Sequence, residues 1–220
     1  MPNWCNNGLT LEHKDSAMVQ RAYDALREGR FLQEFIPIPQ SLRIVAGCAG
    51  SADSPEQIAL VEAEENNIKV HGYKNWYDYC VNEWGTKWDV GGDDGLMEMI
   101  NPNTLQASFE SAWAPPVAAY EKLCAMGFII KAFYEEPGMA FCGMVTGDED
   151  GFDDEYYEYG GEASDTVRDV IGEELVDYFG ISENMAQYEA ENAEDEENID
   201  IDLDGGVSAV NEQEEENENK

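Results

Sequence analysis

Apolar residues recur along the chain at two spacings, two and three-to-four, and the changes between them mark out its elements. Asn3 to Glu12 carries the alternation of a strand, with Gly8 where a bulge is expected. Asp15 or Ser16 can cap the next helix, in which Met18, Val19, Ala22, Tyr23 and Leu26 share a face and Gly29 ends the run. Phe31 to Ile38 is apolar but interrupted by Pro37 and Pro39, which favours an extended, packed segment. Residues 40–53 are small and loop-like. Ser54-Pro55-Glu56-Gln57 then opens a helix, with serine at the N-cap, proline at the first helical position and glutamine placed to complete a capping box. Ile58, Leu60 and Val61 are expected to face inward, Asn66-Asn67 to end this helix, and Ile68 to His71 to form a short strand.

The densest aromatic stretch runs from Asn75 to Val90, where Trp76, Tyr77, Tyr79, Trp84 and Trp88 gather. Asn75 can cap a short helix that places Trp76, Cys80 and Trp84 on one face, and Gly85 suits the left-handed residue that ends it. Thr86 to Val90 reads as the start of a strand, with Thr86, Trp88 and Val90 on one side and Lys87 and Asp89 on the other. Large aromatics bury the most area per residue, so this corner is expected to lock the core. The competing reading puts Trp84 or Trp88 on a recognition surface, where tryptophan is favoured.

Gly91-Gly92-Asp93-Asp94-Gly95 has turn chemistry, and Leu96 to Ile100 is a short apolar run. Leu105, Ala107, Phe109, Ser111 and Trp113 alternate as a half-buried strand. Pro115-Pro116 opens a helix, and Phe128–Glu135 and Met139–Thr146 form a hairpin around Pro137-Gly138. Without a helical insertion at about 36–85, the order is βαββαβ. The fold class expected is α+β: a ferredoxin-like antiparallel sheet of four or five strands over residues 1–147, with helices on one face.

Five motifs carry a family resemblance: Met1-Pro2-Asn3-Trp4-Cys5-Asn6-Asn7; Phe35-Ile36-Pro37-Ile38-Pro39; Trp84-Gly85-Thr86-Lys87-Trp88-Asp89; Phe109 with Ala112-Trp113-Ala114-Pro115-Pro116; and Phe133-Tyr134-Glu135-Glu136-Pro137-Gly138. Together they resemble the YubB ferredoxin-like family of phages, prophages and plasmids. The resemblance covers roughly residues 1–145. It implies a ferredoxin-like core, a mobile-element origin and, as signature residues, Trp4, Asn6, Trp84, Gly85, Thr86, Lys87, Trp88, Asp89 and Trp113. It implies no activity.

Charge changes the picture beyond this domain. The formal net charge is −36, and residues 148–220 hold twenty-eight acids against only Arg168 and Lys220. Such a field repels phosphate backbones and anionic membranes and attracts basic surfaces, so no direct nucleic acid and no membrane are expected as partners. Residues 148–181 read as an acidic aromatic segment, with Phe152, Tyr156, Tyr157 and Tyr159 among carboxylates in one edge strand or a loop, followed by an amphipathic helix. Ser164 can cap that helix, and Val167, Val170, Ile171, Leu175, Tyr178 and Phe179 form its stripe. Residues 182–220 have the composition of a disordered acidic tail, although 182–197 can continue helically with Met185 and Tyr188. A tail that only confers solubility is the plainest account of these acids.

Chemistry is sparse. Five scattered cysteines and two distant histidines suggest neither disulfides nor a zinc site, and no nucleophile, phosphate-loop or metalloprotease motif occurs. Asp200-x-Asp202-x-Asp204-Gly205 begins like a calcium loop, but its twelfth position is Asn211 rather than glutamate. No catalytic residue, metal or cofactor is therefore assigned. With no signal-peptide pattern, the expected place is the cytoplasm, that of the host if phage-encoded. The expected function is a non-catalytic accessory protein that binds a basic surface of a host protein through Asp153, Asp154, Glu155, Tyr156, Tyr157, Glu158, Asp165, Asp169, Glu173 and Asp177. Its concrete form is nucleic-acid mimicry against a nuclease, a defence complex or another DNA-processing complex. The alternative is an enzyme or small-ligand site around Trp76, Trp84, Lys87 and Asp89.

Overall fold

The central strand is β1 (Trp4–His13), whose inward residues Cys5, Asn7, Leu9 and Leu11 are all buried. It pairs antiparallel with β3 (Thr104–Ala112) on one side and β4 (Phe128–Glu136) on the other. Both registers run through Gly8 without a shift, so the expected bulge is absent. The structure, a computed structural model, describes residues 3–92 and 96–204. Between β1 and β3 lie α1 (Ser16–Arg27), α2 (Phe31–Phe35), a short 3₁₀ turn, α3 (Pro55–His71), α4 (Trp76–Glu83) and β2 (Leu96–Asn101). After β3 come α5 (Val117–Ala125), β4, β5 (Phe141–Gly147), β6 (Phe152–Glu158), α6 (Val167–Ile171), α7 (Glu173–Phe179) and α8 (Ile181–Asp204).

The result is a mixed α/β fold around one six-stranded antiparallel sheet, ordered β2-β3-β1-β4-β5-β6. This is not a plain βαββαβ order, because β5 and β6 carry the sheet onward past β4. On the inner face, Leu9, Leu11, Leu105, Ile130, Ala132 and Val145 pack against Val19 and Leu26 of α1 and Leu123 of α5. Full burial of each large aliphatic side chain contributes roughly 1.5–3 kcal/mol.

Several local expectations hold. Asp15 accepts from the Ala17 amide, Ser54 from the Gln57 amide, and Asn75 from the Tyr77 and Asp78 amides, so each caps its helix. Others fail for tertiary reasons. Gln57 does not close a capping box, because its side-chain oxygen accepts from the Ala49 amide. Phe31–Phe35 is helical rather than extended, because Asp89 caps it from a distant loop. Helix α3 continues through Asn66-Asn67 to His71, replacing the expected short strand. Asn67 is buried and donates to the Ser41 and Lys74 carbonyls, which makes it a structural bolt rather than a stop. Ile58 and Val61 are exposed, and only Leu60 and Asn67 of α3 are buried.

After Gly147 the edge-strand reading holds, and the expected single helix is two. Residues 152–158 form the sheet edge, and α6 and α7 pack on the outer face in a second core. In that core Val167, Ile171, Leu175, Val176 and Ile181 bury against Cys142 and Tyr159. Ser164 does not cap α6; its hydroxyl and amide donate to Glu189 of α8. Helix α8 occupies Ile181–Asp204, part of the stretch with tail-like composition, while residues 205–220 lie outside the described residues. So do Asp93, Asp94 and Gly95 of the expected turn and the second half of the calcium-like segment. No described helix is long and apolar enough to cross a membrane.

Gly91 secures the loop that leads into β2. Its φ is +97°, and a Cβ there would overlap the Leu26 carbonyl oxygen, which also accepts from the Gly92 amide at 2.7 Å. Gly91→Ala is expected to cost at least about 2–3 kcal/mol in urea unfolding, from left-handed strain together with the backbone collision. A loss below about 0.5 kcal/mol would contradict this packing.

Candidate functional site

Residues 84–92 are an irregular connector rather than a strand, and their side chains divide between fastening and display. Trp84 is 2% exposed and its indole N–H donates to the Ile36 carbonyl at 2.9 Å. Gly85 has φ +88° and lies against the backbone of Pro115–Ala118, a space that a side chain would fill. The Thr86 hydroxyl donates to the Ala112 carbonyl. Asp89 accepts from the amides of Leu32, Gln33 and Val90, so its carboxylate both caps α2 and fixes the connector. Burial pushes the Asp89 carboxyl above its usual range, against the lowering effect of those amide bonds. These four residues hold the scaffold.

Lys87 and Trp88 point the other way. Because the segment is not a strand, Trp88 does not follow Thr86 and Val90 inward and is 40% exposed. The Lys87 ammonium lies 4.7 Å from the ring centres of both Trp88 and Trp113, and 5.8 Å from that of Tyr77. It makes no ion pair among the described residues. Trp4 completes the group, its ring 6.0 Å from that of Trp88. Trp113 takes φ +69°, an unfavourable backbone for a bulky residue, and its amide donates to the Asn3 carbonyl at 2.9 Å. Such strain costs of order 1–3 kcal/mol and persists where the surroundings over-determine it.

Of the four residues proposed for a small-ligand site, Trp84 and Asp89 are thus committed to the scaffold. Trp76 packs against the core, and only Lys87 faces outward among exposed aromatics. A hollow of about 490 Å³ lies beside Lys87, Lys74, Tyr77 and Trp113.

The outer sheet face holds two further hollows. One, about 610 Å³, is bounded by Trp4, Asn6, Trp88, Glu110, Tyr178 and Phe179. The next, about 650 Å³, is bounded by Gly8, Thr10, Leu96, Glu98, Gln106 and Lys131, and the two share Leu96, Ser108 and Tyr178. Tyr178 stands where they meet, with its hydroxyl resting on Gly8, where a Cβ would overlap it, and its ring packed on Phe133 at 4.7 Å. The exposed alternates of β3, namely Gln106, Ser108 and Glu110, were readable as a polar face. The placement of Tyr178 beside them had no sequence signal.

The carboxylates assigned to partner binding are dispersed. On β6, Asp153, Glu155 and Tyr157 occupy one face and Asp154, Tyr156 and Glu158 the other, as strand alternation requires. Asp154 accepts from the Tyr134 hydroxyl, and the Tyr156 ring packs on Phe141. Helices α6 and α7 are divided at Gly172, whose φ and ψ are +84° and 162°. Asp165, Asp169, Glu173 and Asp177 therefore do not form one regular helical ladder, and Asp177 is paired with Arg168. Asp153, Glu155, Asp165, Asp169 and Glu173 are exposed.

A fourth hollow, about 450 Å³, lies between α8 and the sheet, with Tyr159, Met185 and Tyr188 on its walls. Its inner end holds Glu135, 4% exposed, which accepts from the Tyr159 hydroxyl at 3.0 Å. Burial raises the Glu135 carboxyl pKa, while hydrogen bonds from Tyr159 and Asn6 oppose the rise. Among the described residues, no group of three or more histidine, cysteine, aspartate or glutamate side chains is arranged to hold a metal ion.

No family model matches the chain, and no curated protein is similar to it. Among solved structures, the crystal structure of the protein api92 from Yersinia pseudotuberculosis, of family DUF1281, is similar over 74% of this chain and 99% of that one. Its identity is 12% and its TM-score 0.44, a level at which no property is transferred.

Substitutions at two positions separate fastening from display. Asp89→Ala leaves three amides without their acceptor and is expected to cost about 2 kcal/mol in thermal or urea unfolding, with Asp89→Asn recovering only part of it, because its one oxygen can accept from Leu32 and Val90 while its NH2 opposes the Gln33 amide. Lys87→Ala is expected to change stability by less than about 1 kcal/mol. Equal losses for the two would contradict the division. Glu135 supplies a pH test. A carboxyl whose folded pKa is raised stabilises the fold below its unfolded pKa, and that contribution is lost as pH rises through the folded value. Glu135→Gln is expected to be more stable than the parent by about 1 kcal/mol at neutral pH, with the gap closing under acid. A pH-independent difference would contradict it.

Proposed function

We propose that this chain is a non-catalytic binding protein that presents a carboxylate-rich C-terminal layer to a basic surface of a partner protein. One observation supports it most: α6 and α7 spend their apolar stripe on the sheet, which leaves Asp165, Asp169, Glu173 and the edge-strand acids Asp153 and Glu155 facing solvent. The layer is thus anchored rather than trailing, so its charge is held in place before any partner arrives. That lowers the ordering cost of association, and a charge imbalance of this size raises the rate of encounter with a basic surface.

The order β2-β3-β1-β4 within the sheet supports a ferredoxin-like reading of those four strands, with β5 and β6 as an extension. The YubB-like motifs support an origin on a mobile element, and the partner would then be a host protein. Mimicry of a nucleic-acid backbone is a narrower reading that lost its geometric motive at Gly172, where the regular spacing of carboxylates ends.

The test is comparative capture from host lysate at low and high salt. The parent is expected to retain a basic protein that salt releases. A variant carrying Asp153→Asn, Glu155→Gln, Asp165→Asn, Asp169→Asn and Glu173→Gln is expected to lose it by tenfold or more, roughly 1.4 kcal/mol. Equal capture by both, or a partner indifferent to salt, would overturn the proposal.

A further inference from the structure

The two hollows of the outer face form one trough, and its chemistry is one-sided. Four titratable side chains other than tyrosine border it: Asp89, Glu98, Glu110 and Lys131. Asp89 is occupied by three backbone amides, and Lys131 is paired with Glu174 at 2.7 Å. Glu98 and Glu110 are exposed and make no ion pair among the described residues. Among the described residues, the trough therefore offers two free carboxylates and no free cation. Aromatic surface accompanies them, because Trp4 and Trp88 border the hollow that holds Glu110. Leu96, 79% exposed, and Tyr178 stand between the two carboxylates.

We propose that this trough binds an extended segment of a partner protein carrying two arginines, one at Glu110 beside the indoles of Trp4 and Trp88 and one at Glu98. The proposal rests on the reading above only in taking the partner to be basic. Arginine fits better than lysine because a planar guanidinium stacks on an indole face while giving two parallel hydrogen bonds to a carboxylate.

Sheet geometry sets the spacing. Glu98 is opposite Gln106 in the β2–β3 register, and Gln106 is four residues from Glu110 along β3. The two carboxylates are thus about 13 Å apart in the strand direction, at about 3.3 Å per residue. In an extended segment, side chains at positions one, three and five share a face. Arginines at one and five then meet Glu110 and Glu98, and an apolar third residue lies over Leu96 and Tyr178. The trough extends along β1 from Trp4 to Thr10, long enough for five extended residues.

The test titrates the full chain at low salt with a capped pentapeptide, Arg-Gly-Val-Gly-Arg, and follows tryptophan fluorescence and the indole N–H resonances of Trp4 and Trp88. Saturable binding is expected, with both indole signals shifted. Glu110→Gln and Glu98→Gln are each expected to weaken it about five- to tenfold, Trp88→Ala about tenfold, and the lysine version of the peptide severalfold. Moving the second arginine to position four, which turns it to the opposite face, is expected to cost about fivefold or more. Equal binding of the one–five and one–four peptides, or parent-like binding by both glutamine variants, overturns the proposal. The five-site variant of β6, α6 and α7 is expected to retain peptide affinity within about threefold at fixed salt, since its substitutions lie outside the trough. Loss of binding in that variant alone would assign the peptide to the C-terminal layer and reject the trough.

Discussion

The packing of α6 and α7 on the outer face of β4 and β5 determines which surfaces this molecule displays. A twisted antiparallel sheet with both faces partly apolar needs a second cover, and here the acidic C-terminal segment provides it. Val167, Ile171, Leu175 and Val176 close over Cys142, Phe133 and Met144, and the helices reach only as far as β1, where Tyr178 rests on Gly8. That reach has two effects. Carboxylates unable to enter the interface are turned to solvent on a fixed surface. The part of the face over β2, β3 and β1 remains uncovered as a trough beside the tryptophans.

The connector from α4 to β2 shows the same economy on a smaller scale. Three successive residues hold, the next two are presented and Asp89 holds again, on loop geometry rather than strand geometry. Trp84, Gly85, Thr86 and Asp89 each satisfy a backbone group or fill a tight space, and this fixes where Lys87 and Trp88 emerge. Trp113 joins them at the cost of a left-handed backbone. Rigid presentation of large aromatics is what a binding surface needs, because little side-chain freedom remains to be lost on association.

Local signals were legible in the sequence where the physics is local. The caps at Asp15, Ser54 and Asn75 depend on a side chain and an amide two or three residues away, and each forms as read. The strand pattern of β1, β3 and β4 follows from alternation, which the inner core enforces. What failed depended on distant partners. Asp89 makes a helix of Phe31–Phe35 from more than fifty residues away, and buried Asn67 carries α3 through an apparent stop. The apolar stripe after Ser164 was visible, but its division at Gly172 was not, since one glycine within a helical pattern carries little weight by itself. Of the displayed surface, the exposed tryptophans lay within the aromatic stretch and its motifs. The free carboxylates Glu98 and Glu110 became meaningful only once Tyr178 was placed beside them.

The measurement that bears most directly on this account is amide hydrogen exchange across residues 141–193 of the intact chain. If the acidic segment truly covers the sheet, the α7 amides near Leu175 and Val176 exchange within about tenfold of those in β5, because both open only when the second core opens. Exchange of α6 and α7 at the rate of unstructured chain, with β4 and β5 still protected, would mean that the layer does not pack and would contradict both the anchored carboxylates and the trough.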